Sequence, residues 1–334
     1  MKINHSAGKE CYSLSYSTSK QYAEIMKDKV LISEVGPRDG LQNCDGVMPT
    51  AFKKRWIKGL YNAGLREIEV GSFVPAKLFP QLADTAEIVE FARSLPGLRV
   101  LALVPNLRGA KAAIDAGVTS IGFPLSVSET HSEKNLRQTH DQAIENVRLI
   151  AELIAQQPKE NRPEFEGALS TAFGCSIEGH IGEEQVLSLA ERLVEAGVDE
   201  LGLSDTVGYA NPKQVKRLIA GVRRIAGAEK VKSVHLHNTY GLGLANALAA
   251  YEEGIEVFDS SQAGLGGCPA SPGASGNIVT EDLVFMFESM GVDTGVDLEA
   301  LMACRSLLAE GLPKEALYGM TPNAGLPKTF ANLS

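Results

Sequence analysis

Four segments of the chain read almost alike: Asn62-Ala-Gly-Leu-Arg-Glu-Ile-Glu-Val70, Asp115-Ala-Gly-Val-Thr-Ser-Ile-Gly-Phe123, Glu195-Ala-Gly-Val-Asp-Glu-Leu-Gly-Leu203 and Glu252-Glu-Gly-Ile-Glu-Val-Phe-Asp-Ser260. In each, a glycine (Gly64, Gly117, Gly197, Gly254) stands where a helix end needs a left-handed residue, and an apolar run of strand length follows. The repeat is helix, glycine, strand. Filling the gaps predicts strands near 30–35, 66–71, 98–104, 118–123, 165–171, 199–203, 231–237 and 256–260. Helices are predicted near 50–63, 80–94, 107–116, 140–156, 183–196, 211–224, 240–253 and 279–290. Such alternation predicts an α/β fold, a closed (β/α)8 TIM barrel spanning residues 29–334 as a single domain. Residues 1–28 read as a short N-terminal extension, and 297–310 as an extra C-terminal helical segment. A doubly wound open sheet is the alternative, but it would place a glycine-rich phosphate loop after its first strand. Gly36-Pro-Arg-Asp-Gly40 is not such a loop, and no G-x-x-x-x-G-K-[ST] occurs.

Composition narrows the function classes. The net charge of -9 has no basic stripe to offset it, which argues against a nucleic-acid partner while leaving room for an anionic ligand in a locally positive cleft. The five cysteines, at 11, 44, 175, 268 and 304, have no C-x-x-C spacing, so neither a disulfide framework nor a structural zinc site is expected. A reducing compartment, the cytoplasm, follows. No stretch approaches the ~18 apolar residues of a membrane span, and the first residues lack a signal-peptide core, so no membrane partner is expected.

In a barrel of this kind the active site lies at the C-terminal ends of the strands. His235 and His237 stand two apart at the end of the seventh strand, where alternate side chains share a face, so the two imidazoles can bind one metal ion. The competing reading is a pair of packed core histidines, which would cost desolvation unless both found partners. Strand one ends in Arg38, Asp39 and Gln42, strand two in Glu69 and Ser72, and strand six in Asp205. After strand eight comes Gly264-Leu-Gly-Gly-Cys-Pro-Ala-Ser-Pro-Gly-Ala-Ser-Gly-Asn277, too glycine-rich to pack and too long for a tight turn. It reads as a mobile active-site element carrying Cys268, against the alternative of a plain linker. Cys11, Cys44, Cys175 and Cys304 read as packing thiols, and His5, His131, His140 and His180 as surface or loop histidines.

Glu34-Val-Gly-Pro-Arg-Asp-Gly-Leu-Gln-Asn43, His235-x-His-x-Thr-Tyr-Gly241 and the Gly264–Asn277 segment resemble those of 3-hydroxy-3-methylglutaryl-CoA lyases, metal-dependent acyl-CoA lyases on a TIM barrel. The resemblance runs from about Val30 to about Leu298. It implies metal ligands at Asp39, His235, His237 and Asn277, and catalytic roles for Arg38, Cys268, Glu69 and His235, the last in proton transfer. Gln42, Ser72 and Asp205 join Arg38 as candidate substrate or supporting groups. A carboxylate, an amide oxygen and two imidazoles leave coordination positions open, which suits Mg²⁺ or Mn²⁺ with a chelating substrate. The implied reaction is retro-Claisen cleavage of 3-hydroxy-3-methylglutaryl-CoA to acetyl-CoA and acetoacetate, a step of leucine degradation. The implied partner is an acyl-CoA substrate, and a homodimer is compatible with the sequence.

Rivals remain: a lyase for another 3-hydroxyacyl-CoA such as citramalyl-CoA, a Claisen-type synthase, or a non-catalytic barrel that binds metal or CoA. A synthase would lack the Cys268 loop and often adds a regulatory domain for which this chain ends too soon. Asn238 stands where the lyases usually carry Asp, and His131 where an aromatic residue is implied. Both departures bear on the acyl group rather than on the metal chemistry.

Overall fold

The computed structural model describes residues 29–266 and 276–330. Eight parallel strands close into a barrel in sequence order: β1 (Leu31–Glu34), β2 (Glu67–Ser72), β3 (Arg99–Leu103), β4 (Ser120–Ser126), β5 (Glu164–Ser170), β6 (Glu200–Asp205), β7 (Val231–Leu236) and β8 (Val257–Ser260). Closure comes from β1 against β8, in register from Leu31 opposite Val257 to Glu34 opposite Ser260. The expected (β/α)8 barrel is the observed fold. The repeated glycines act as the sequence suggests, with φ of 105° at Gly64, 81° at Gly117, 101° at Gly197 and 81° at Gly254. A residue with a Cβ is strained at such angles, so these positions turn each helix back into the next strand.

The helices that clothe the barrel begin with α1 (Thr50–Asn62), α2 (Thr85–Arg93) and α3 (Leu107–Ala116). They continue through α4 (Glu129–Asn135), α5 (His140–Ala155), α6 (Glu183–Glu195) and α7 (Pro212–Ala226). The series ends with α8 (Gly243–Glu252), α9 (Thr280–Ser289), α10 (Leu298–Ala303), α11 (Arg305–Gly311) and α12 (Met320–Ala324). Their apolar stripes face the strands. On α7, Val215, Leu218, Ile219 and Val222 follow the i, i+3, i+4, i+7 spacing and are all buried, each contributing about 1.5–3 kcal/mol of burial. A charge at Val222 would break that contact. The expected segment 297–310 is present as two short helices, α10 and α11, meeting at Cys304.

Three departures have local causes. The helix expected over 80–94 starts only at Thr85, because the buried Lys53 ammonium donates to Gln81 O and to Asp84, both at 2.5 Å, and holds the preceding turn apart. Helix α8 starts at Gly243 rather than 240, after a turn in which Gly241 has φ 77°. Helix α4 has no apolar stripe to announce it. Its start is fixed by Ser128, whose hydroxyl accepts from His131 N at 3.1 Å.

Candidate active site

Strand β1 ends in a buried glutamate, and everything on the first loop hangs from it. Glu34 accepts from Gly36 N (3.0 Å), Gln262 N (2.8 Å) and Thr280 Oγ1 (2.7 Å). A Cβ on Gly36 would lie 2.5 Å from the Glu34 carboxylate, so only glycine lets the chain pass. Beyond it Gly36–Gly40 forms a turn of π-helix, with the amides of Arg38, Asp39 and Gly40 all directed at Val35 O (3.1, 2.7 and 3.3 Å). Burial pushes the Glu34 carboxyl up to about 8, against the pull of its donors. The turn carries Arg38 and Asp39 over the barrel mouth.

There they meet the two histidines. Ligand atoms of Asp39, His235 and His237 all lie within 4.8 Å of one another. The facing Nε2 atoms of His235 and His237 are 3.0 Å apart. Arg38 spans two carboxylates, with Nε donating to Glu69 (2.7 Å) and Nη1 to Asp39 (2.6 Å). Asn277 donates its amide nitrogen to Asp39 Oδ2 (2.8 Å) and to Leu265 O (3.1 Å), which leaves its amide oxygen outside both bonds. Six of the expected residues, Arg38, Asp39, Glu69, His235, His237 and Asn277, thus form one cluster.

The electrostatics divide the cluster. Burial alone would raise Asp39, but Arg38 and the two imidazoles outweigh it and hold the carboxyl well below the usual carboxylate range. Burial, helped by the neighbouring His235, pushes His237 down to about 3, so this ring is neutral. Burial also works against a charge on His235, yet Asp259 and Asp39 turn the balance and raise it. Burial pushes Glu69 up to about 7 despite Arg38. The donor set fits a divalent cation: an ionised carboxylate and two imidazoles, one of them neutral, converge. The Nδ1 of His237 is buried without a hydrogen-bond partner among the described residues, as expected of a ring whose orientation a ligand bond completes.

A cavity of about 760 Å³ opens above and below this cluster. Gln42 and Ser72 line it, Ser72 with its hydroxyl donating to Leu103 O at 3.1 Å. Asp205 does not line the cavity. Its carboxylate accepts from Tyr209 N (2.9 Å) and Ala210 N (3.0 Å) and so shapes the loop after β6, the supporting one of its two expected roles. Asn277 closes the segment read as mobile. This side chain is buried, and Asn277 bridges to His237 across the backbone. Cys268 lies in 267–275, outside the described residues, as do Cys11, His5 and the 1–28 extension. The flanks of that loop meet the cluster: Gly266 lines the cavity, and a Cβ there would be 2.8 Å from Asn277 Nδ2.

One residue was not foreseen. Asp259 on β8 stands in register with His235 on β7 and bonds its Nδ1 at 3.1 Å, so Nε2 is the atom left for chemistry. A carboxylate on an inward strand position was the available signal. His131, read as a surface or loop histidine and as a departure that bears on the acyl group, is half buried and lines the cavity. His140 is also no free surface ring, since its Nε2 bonds Ser126 O at 3.0 Å, whereas His180 is exposed as expected. Asn238 accepts from Gly243 N at 2.9 Å at the start of α8, so at this position the amide serves the helix end.

A (β/α)8 barrel with a carboxylate, an amide and two imidazoles at its C-terminal mouth, bridged by one arginine, defines a metal-site barrel of the enzyme type. A family model described as HMGL-like matches residues 29–308, and the chain belongs to that family. It is 40% identical to a hydroxymethylglutaryl-CoA lyase of Bacillus subtilis over 286 residues, 86% of this chain and 94% of the relative. It is 39% identical to a mitochondrial hydroxymethylglutaryl-CoA lyase of Arabidopsis thaliana over 85% of the chain, spanning 59% of that longer relative. The structure superposes on an HMG-CoA lyase from Acinetobacter baumannii, solved with coenzyme A and 3-methylmalate, with a TM-score of 0.83 and 40% identity, covering 90% and 96% of the two chains. Among the described residues no helix is long and apolar enough to cross a membrane.

Proposed function

We propose that the chain is a divalent-metal-dependent carbon–carbon lyase that cleaves 3-hydroxy-3-methylglutaryl-CoA, or a close 3-hydroxyacyl-CoA, to acetyl-CoA and a 3-oxo acid, acetoacetate for the standard substrate. The observation that carries this reading is the convergence of Asp39, His235 and His237 beside Arg38 at the wall of the cavity. Asp39, His235, His237 and Asn277 would hold Mg²⁺ or Mn²⁺, which lowers the pKa of a bound 3-hydroxyl and neutralises developing charge.

The chain's own groups divide the remaining work. His235 has one nitrogen bonded to Asp259, and its other nitrogen cannot hold a cation and a proton together. If that atom held the cation, the proton transfer expected of His235 would pass to Glu69, a carboxyl raised by burial whose Oε2 accepts from Arg38 Nε. As the 3-hydroxyl proton leaves, the C2–C3 bond breaks and its electrons pass to the thioester enolate. Arg38 has Nε and Nη1 occupied, and its Nη2, with no hydrogen-bond partner among the described residues, would hold the enolate oxygen. The Cys268 thiol then protonates C2. A reducing compartment such as the cytoplasm suits this thiol, and among the described residues Cys44, Cys175 and Cys304 are free. A product screen over a panel of 3-hydroxyacyl-CoA thioesters tests the reading. Acetyl-CoA release supports it, and intact thioesters throughout would reject it.

A further inference from the structure

Ser126, the last residue of β4, is fully buried, and its Oγ lies 2.8 Å from His131 Nδ1. Among the described residues this hydroxyl has no other acceptor for its hydrogen. A buried hydroxyl hydrogen left unbonded is costly, so Ser126 donates and Nδ1 accepts. The ring proton of a neutral imidazole then sits on Nε2. Burial holds His131 below the ordinary imidazole value, which keeps the ring neutral. The backbone at this point is also fixed, because His131 N donates to Ser128 Oγ at 3.1 Å. The Nε2 atom has no hydrogen-bond partner among the described residues, and His131 lines the cavity together with Asn135, one turn further along α4.

We infer that His131 is a substrate-binding residue: its Nε2–H donates to an acceptor oxygen of the bound acyl-CoA thioester, and Ser126 fixes the tautomer that makes it a donor. This rests on the lyase reading and extends it to recognition of the substrate. The acceptor has two possible sources in such a thioester, a distal carboxylate on the acyl group or an amide carbonyl of the pantetheine arm. An apolar residue at 131 could serve neither.

The test uses full-length, metal-replete protein and the variants His131→Phe, His131→Gln and Ser126→Ala. KM and kcat are measured on 3-hydroxy-3-methylglutaryl-CoA, and Ki on the analogue lacking the distal carboxylate. His131→Phe should raise KM about tenfold to a hundredfold while leaving kcat within about threefold, the size expected for one lost hydrogen bond to a charged or carbonyl oxygen. His131→Gln, which keeps a donor near the Nε2 position, should restore most of the loss. Ser126→Ala, which frees the tautomer, should raise KM by a smaller factor, and it stands in if His131→Phe fails to fold. A penalty confined to the carboxylate-bearing thioester identifies the acyl group as the source, and an equal penalty on both identifies the pantetheine arm. Unchanged KM and Ki in the folded variants overturn the inference alone. Wild-type protein that cleaves no 3-hydroxyacyl thioester overturns the lyase reading and this inference with it.

Discussion

Replacing Arg38 with lysine keeps the charge and removes the fork. Arg38 is only 12% exposed, and its guanidinium joins Glu69 and Asp39 through separate nitrogens at 2.7 and 2.6 Å, leaving one edge toward the cavity. A single ammonium cannot reach both carboxylates and still face an enolate. The interaction lost in the transition state is one charge-assisted hydrogen bond, worth about 1.5–3 kcal/mol, which corresponds to about a tenfold to 150-fold fall in kcat. Looser positioning of Asp39 adds to that loss. Because this edge acts on charge that develops only as the carbon–carbon bond breaks, KM should change little. Steady-state kinetics on the metal-replete, folded variant read both values. A kcat within twofold of wild type would remove Arg38 from the chemistry, and a rise in KM at constant kcat would reassign it to ground-state binding.

Three further outcomes follow from the geometry. Asp259→Asn weakens the bond that orients His235 and should lower metal affinity or kcat about tenfold to a hundredfold, read by metal titration and by turnover; unchanged values would make the Asp259 contact incidental. Glu166 lines the cavity, accepts from Ser233 and is pushed up to about 8 by burial, so the folded state keeps a proton that the unfolded chain loses. Its contribution is therefore present at low pH and lost as pH rises from about 4.5 to about 8, and Glu166→Gln should flatten that decline in urea midpoints measured across the range; an unaltered slope would refute it. Cys44, Cys175 and Cys304 are buried, and burial pushes the Cys44 thiol up to about 12, so alkylation that inactivates the enzyme should map to Cys268 by peptide mass analysis and be blocked by a substrate analogue; folded Cys268→Ser with full turnover would rule out proton delivery by this thiol.

The barrel was legible because its punctuation is local: a glycine at positive φ after each of four helices, then a strand-length run, can be read from nine residues at a time. The histidine pair was legible for the same reason, since a spacing of two fixes a shared face. Contacts that join distant strands were not. Asp259 reaches His235 through strand register, a pairing with no local spacing. The half-burial of His131 was not legible because α4 is polar throughout and the ring meets Ser126 on β4, and the π-helical turn over Gly36–Gly40 depends on Glu34 meeting residues more than two hundred positions away.

The account rests on cleavage by a metal held between Asp39, His235, His237 and Asn277. Its most direct test is to strip the protein by exhaustive chelation and follow acetyl-CoA and acetoacetate release from 3-hydroxy-3-methylglutaryl-CoA before and after adding Mg²⁺ or Mn²⁺. We predict that turnover is lost on chelation and returns with either ion, and that Asp39→Ala and His237→Ala are not rescued. Full turnover by the metal-free protein would contradict the account.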